Sequence, residues 1–206
     1  MLIKGLRIIK KNLSLYIWCN MAYYGLILLF MLLVFLSPEI QEQFLEEIAQ
    51  QIETEGTLLG FAGEAYISGS IPRAAVVTFI INLFAGTLLF LTLPSLVFPP
   101  LAILLGAYRA ALWGIMFSPS MTDLWGTMMI LHSVTIFLEG QGYILAVFAG
   151  LVAFKGFLKP ELYNKTGRLA GYGQGWLEAW PVYIWVVIIL AVAAVYEAIT
   201  VIGMMQ

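Results

Sequence analysis

The chain predicts an all-α membrane protein: one domain over residues 1–206, about five transmembrane helices and an extracytoplasmic amphipathic helix. Three observations carry this. Of 206 residues, 62% are hydrophobic and 11% charged, with a mean hydropathy of +0.94, against about 25% charged in an ordinary soluble domain. The apolar residues fall into runs that match a hydrocarbon core ~30 Å thick, which takes about 20 residues of helix. The basic residues, finally, gather in two groups that a five-span path places on one side of the bilayer.

Leu13–Leu36 is the first span. The preceding MLIKGLRIIKK is basic, but the apolar run is too long for a signal-peptide core and ends in Leu-Ser-Pro-Glu, so an uncleaved span is expected. Cys19, the one cysteine, sits inside it as a small buried hydrophobe and excludes an intrachain disulfide or a cysteine-rich zinc site. Ala74–Leu93 is the second span, with Asn82 its one strongly polar side chain. The uncharged turn PSLVFPP (Pro94–Pro100) ends it, because proline cannot continue a helix. Such a turn suits a shallow interface or a protein-lined pocket.

Leu101–Phe117 is the third span. Gly106, Ala110 and Gly114 put small residues on one of its faces, the pattern of close helix packing in lipid. That face packs either within the subunit or across a homo-oligomer. Trp125–Phe154 is the fourth span and exceeds the length needed, so it must tilt, protrude or break. Gly140 and Gly142 flank Gln141 and mark a place for such a loosening. Pro181–Gly203 is the fifth, with Trp176, Trp180 and Tyr183 expected at headgroup level. GYGQG (Gly171–Gly175) before it reads as a flexible loop, since no strand precedes it to make a nucleotide-binding turn.

Orientation follows from charge. Lys4, Arg7, Lys10, Lys11, Lys155, Lys159, Lys165 and Arg168 fall on one side, eight of the ten basic residues. This predicts a cytoplasmic N-terminus and an extracytoplasmic C-terminus. The loop Pro38–Ile71 then faces outward with Glu39, Glu42, Glu46, Glu47, Glu53, Glu55 and Glu64. Ile40, Phe44, Ile48 and Ile52 recur every four residues and define an amphipathic helix over about residues 39–55. Its apolar stripe packs on the spans or a second subunit, or the acidic loop docks an envelope protein. The net charge of −2 excludes a nucleic-acid surface.

The chemistry-bearing residues are the polar groups inside apolar helices: Asn82, Arg109, His132, Glu139, Gln141 and Glu197. Asn82, Arg109, His132 and Glu197 count to roughly 9–12 Å below the outer ends of their spans, and Glu139 to about 21 Å. Charges in a span are costly and face protein or water, usually with partners. They form either a structural ion pair, Arg109 with Glu139 or Glu197, or a functional polar layer. His132 with two glutamates has no recognisable metal spacing. No nucleophile, phosphate loop or cofactor motif points to an enzyme.

From Phe79 onward the order of motifs resembles the stage II sporulation protein M family of integral membrane proteins. The motifs are FIINLFAG (Phe79–Gly86), GAYRAALWG (Gly106–Gly114), LHSVTIFLEGQGYILAVFAG (Leu131–Gly150) and AAVYEAIT (Ala193–Thr200). Leu83 follows Asn82 where the family has a second Asn, and Tyr108-Arg109 replace an Asn-Gly. Thr135 stands at the family's His position, with His132 three residues earlier. The resemblance implies a prokaryotic cytoplasmic-membrane protein, and in the family's namesake a role in envelope remodelling during engulfment. Two functions are therefore expected: a channel- or transporter-like pathway for an ion or small solute, or a non-catalytic envelope scaffold.

Overall fold

The computed structural model of the chain describes residues 1–120 and 127–205, and it is all-helical between short turns. Four segments are long and apolar enough to cross a membrane: Leu13–Phe35, Ile71–Val97, Leu131–Leu158 and Arg168–Met205. Leu101–Met116 is a shorter apolar helix between them. Trp125, the predicted start of the fourth span, lies outside the described residues.

The elements run α1 (Leu2–Lys11), α2 (Leu13–Phe35), α3 (Pro38–Glu53), α4 (Leu58–Ile67) and α5 (Ile71–Ile80). A π-helical segment (Ile81–Thr92) continues α5 into α6 (Leu93–Val97), and α7 (Leu101–Met116) and α8 (Thr127–Leu158) follow. The chain closes with α9 (Arg168–Ala179) and α10 (Tyr183–Met205). Among the membrane-length helices α8 is the centre: 72% of its most apolar window is buried in protein, against 22% for α2.

The second span departs from the plain α-helix expected of it. Its π segment buries Asn82, Leu83, Gly86, Thr87, Leu91 and Thr92, a repeat of four to five residues instead of 3.6. The threonine hydroxyls follow the same wider period. Thr87 Oγ1 donates to the Asn82 carbonyl at 2.8 Å and Thr92 Oγ1 to the Thr87 carbonyl at 2.9 Å. A π turn is rare and concentrates at functional sites. Here it begins beside Asn82.

The two ends of the bundle differ in charge. At one end Lys11 Nζ lies 2.8 Å from Glu178 Oε1, and Lys155 Nζ donates to Asn12 Oδ1 at 2.9 Å, so the N-terminal and α8–α9 basic groups are neighbours. At the other, acidic end, Gln41 of α3 is fully buried and donates to the carbonyls of Met116 and Ser118 at 2.9 and 3.0 Å. Ser120 also hydrogen-bonds to the Gln41 side chain. The α7 helix runs between these ends. Near its start Ala102 meets Gly150, and Met116 at its end holds Gln41. Its small face is covered within the chain: Gly106 lies against Val147 of α8 and Gly114 against Ile27 and Phe30 of α2.

Several expectations are corrected. The Gly171–Gly175 stretch is helix, not loop, because its glycines let α9 lie against α8: a Cβ on Gly171 would sit 2.2 Å from the Gly156 carbonyl oxygen. The α8 helix passes unbroken through Gly140–Gly142, where the missing side chains admit Tyr24 and Leu190 instead. Trp176 and Tyr183 are buried, leaving Trp180 exposed. They belong to an aromatic cluster, Tyr172–Trp176–Tyr183–Trp180, at the basic end: edge-to-face, then tilted, then stacked. Tyr183 OH is 2.6 Å from Thr92 Oγ1, and Tyr172 OH donates to the Ser95 carbonyl. The acidic loop forms the helix pair α3–α4, and the α3 stripe is only half used: Ile40 and Ile52 are 45% and 41% exposed. The buried anchor is the polar Gln41, which apolar periodicity cannot reveal.

Candidate functional site

Helix α8 presents His132, Thr135, Glu139 and Tyr143 at steps of three and four residues, which is one helical face. Three other elements aim polar groups at that face: Asn82 from the π segment, Arg109 from α7 and Glu197 from α10. Asn82, Arg109, His132, Thr135, Glu139 and Glu197 all line one cavity of about 580 Å³. Its opposite wall comes from the α3–α4 pair, with Phe44, Glu47 and Gln51 of α3 and Tyr66 of α4. The cavity thus reaches from the acidic helices down to Glu139.

At its floor Asn82 Nδ2 donates to Glu139 Oε1 at 2.5 Å, and Tyr143 OH donates to Asn82 Oδ1 at 2.9 Å. The same hydroxyl lies 3.5 Å from Glu139 Oε2 and accepts from Arg109 Nη2 at 2.5 Å. The guanidinium also stacks over the Tyr143 ring, 4.2 Å from its centre. Glu197 and Tyr66 border the same cavity as Glu139 and His132. Tyr66 OH also lies 3.0 Å from Thr78 Oγ1.

The expected ion pair of Arg109 with Glu139 or Glu197 does not form. Among the described residues no carboxylate oxygen lies within 4.0 Å of Arg109, whereas Lys11 pairs with Glu178 and Arg73 with Glu64. Tyr143 stands between cation and acid. Sequence reasoning missed it because a tyrosine in a span reads as core, although its position four residues after Glu139 already put it on the same face. Gly86 completes the arrangement: a Cβ there would lie 3.3 Å from both Arg109 Nη2 and Tyr143 OH.

Gln141 is not part of this layer. It points to α2, where its Oε1 accepts from Tyr16 OH at 2.5 Å. Its Nε2 donates to Asn20 Oδ1 at 2.6 Å and Tyr24 OH at 2.9 Å. Below the floor, Leu145, Phe148, Val152 and Leu190 are buried to 2% or less. The path toward the basic end is therefore closed by packed side chains. No group of His, Cys, Asp and Glu suited to a metal ion occurs among the described residues.

No family model matches the chain, and no curated protein and no solved structure matches it either. The geometry carries the functional argument alone. It defines a multi-pass helical membrane protein with a polar cavity entering the bundle from its acidic end.

Proposed function

We propose that this protein is a translocation pathway for an ion or small solute, with the Glu139 level as its binding layer. One observation carries the reading. Arg109, Glu139 and Glu197 of three helices and the Asn82 amide face a common cavity of about 580 Å³, and Arg109 forms a salt bridge with neither acid. Intramembrane charges are by default a functional site, and a register-fixing pair would have been saturated. The closed packing beneath Glu139 fits a pathway resting with its acidic end open, as alternating access requires. No enzymatic step enters this reading.

The reading takes five crossings, with α7 as the third and the basic end in the cytoplasm. This agrees with the contacts that join the N-terminal and α8–α9 basic groups at one end. Single-cysteine labelling at Glu55 and Lys165 tests it: an impermeant reagent reaches the first from outside and the second from inside. Labelling of both from one side overturns five crossings. Membership of the stage II sporulation protein M family, and with it a prokaryotic cytoplasmic membrane, belongs to the same proposal.

The decisive experiment is flux. Replacing Glu139 with Gln keeps an acceptor for Asn82 Nδ2 and the side-chain size while removing the acid. The Glu139→Gln protein is expected to insert and fold yet lose ion or solute flux in proteoliposomes. A second reading, an envelope scaffold that recruits a partner protein, is favoured by the exposed acids of α3, Glu42 and Glu46 among them. Under it wild type is silent across a broad ion and solute panel, and Glu46→Lys weakens partner capture.

A further inference from the structure

Arg109 has more to offer than the protein takes up. A guanidinium carries five N–H donors, and among the described residues it makes one hydrogen bond, to Tyr143. Its Nε is buried without a partner, and no carboxylate comes within ion-pair distance among the described residues. Arg109 also borders a second cavity, of about 440 Å³, between α4 and the π segment. Apart from Arg109 and Gln51, that cavity is lined by apolar or side-chain-free residues, including Leu58, Ile81, Ala85 and Phe90. Gly86 keeps the space beside the guanidinium free, and several of these walls are also exposed on the outside of the bundle: Leu58 is 55% exposed and Ile81 and Phe90 are half-buried.

We infer that this second cavity is a binding site for an anionic amphiphile. A phosphate or carboxylate head engages Arg109, and one alkyl chain lies along Ile81, Ala85 and Phe90. Charge complementarity selects the head, since a planar donor fork matches an oxyanion. The apolar walls select the tail. Binding stands apart from the flux reading, because it requires no movement of the ligand across the bilayer. Two sources share this chemistry, a membrane phospholipid and a free fatty acid.

The test is thermal unfolding of the purified protein in neutral maltoside micelles, titrated separately with dioctanoyl phosphatidylglycerol, laurate, dioctanoyl phosphatidylcholine and inorganic phosphate. Either of the first two is expected to raise the melting temperature saturably, and which of them does so identifies the source. Arg109→Gln should weaken the apparent affinity about tenfold or more, the loss of a charge-assisted hydrogen bond. Ala85→Phe keeps the charge, fills the cavity and should weaken it too, so the proposal survives a poorly folded Arg109 variant. An equal shift from phosphatidylcholine overturns it, as does a full shift from inorganic phosphate alone. Unchanged affinity in Ala85→Phe, or no shift with either anionic amphiphile, overturns it as well.

Discussion

Helix α8 carries two polar clusters on different faces, and they solve the same problem in opposite ways. On the α2 face Gln141 meets Tyr16, Asn20 and Tyr24 in three hydrogen bonds, and Tyr24 OH goes on to the Phe137 carbonyl at 3.0 Å. On the other face His132, Thr135 and Glu139 border a cavity, with Tyr143 buried beside Glu139. There the guanidinium of Arg109 keeps an unpartnered nitrogen. A polar group in a span is costly until satisfied. The α2 face satisfies its amide with protein and gains helix register; the cavity face leaves room for something else. Polarity in a membrane helix thus does not mark a site by itself. Unfilled bonding capacity beside a cavity does.

The largest effect that separates the faces is chemical access. In a Cys19→Ser background, Thr135→Cys should react with an impermeant thiosulfonate applied from the acidic side, whereas Asn20→Cys, against Gln141, should remain unmodified. Cys19 itself is buried and free, so its removal lowers background without touching either cluster. Equal labelling of both positions, measured by mass shift, would break the distinction.

A stability measurement comes next. Gln141→Leu leaves Tyr16 OH and Asn20 Oδ1 without their partner, while Tyr24 OH keeps the Phe137 carbonyl. At about 1 kcal/mol for each orphaned group the loss is about 2 kcal/mol, the low end of the range being apt because hydrogen bonds in membranes are individually modest. Reversible unfolding in mixed micelles reads this directly. Flux per folded molecule should stay near the wild-type level, because the amide lies outside the cavity that holds Glu139. A loss below about 0.5 kcal/mol would mean the α2 network is no more saturated than the cavity face.

Much of this was legible in the sequence, and the failures have physical causes. Lipid as solvent imposes long apolar helices, so the membrane-length segments and the polar residues within them stand out from composition. What does not stand out is direction. Asn82, Arg109, His132, Glu139 and Glu197 converge on one cavity, whereas Gln141, two residues from Glu139, turns about 200° away around the helix axis at ~100° per residue. Depth counting along each span gives a level and not the face a side chain takes. Tyr143 was invisible for a related reason, since its role as relay between Arg109 and Asn82 depends on a ring position that only packing sets. Glycine was misread in the opposite sense. Gly156, Gly171 and Gly175 suggest flexibility in a sequence, but in close helix packing a missing side chain lets backbones meet. The polar end of Gln41, fixed to Met116 and Ser118, holds α3 where an apolar stripe was expected to do so.

The smallest predicted effect is the most informative about water. Thr135 is 6% exposed and borders the cavity. Thr135→Val keeps the shape and removes the hydroxyl. In a wet cavity that hydroxyl is hydrogen-bonded to water, and its loss exchanges one solvated group for a methyl in a space that tolerates it. The expected change in unfolding free energy is then within about 0.5 kcal/mol of zero. In a dry cavity the hydroxyl is a buried orphan, and its removal relieves a penalty of about 1–3 kcal/mol. The sign and size of a single substitution therefore report whether solvent reaches the level just above Glu139. Stabilisation of 1 kcal/mol or more, measured in the same mixed-micelle unfolding assay, would make the cavity face a strained packing defect. A translocation pathway that is dry one helical turn above its acid has no route for an ion.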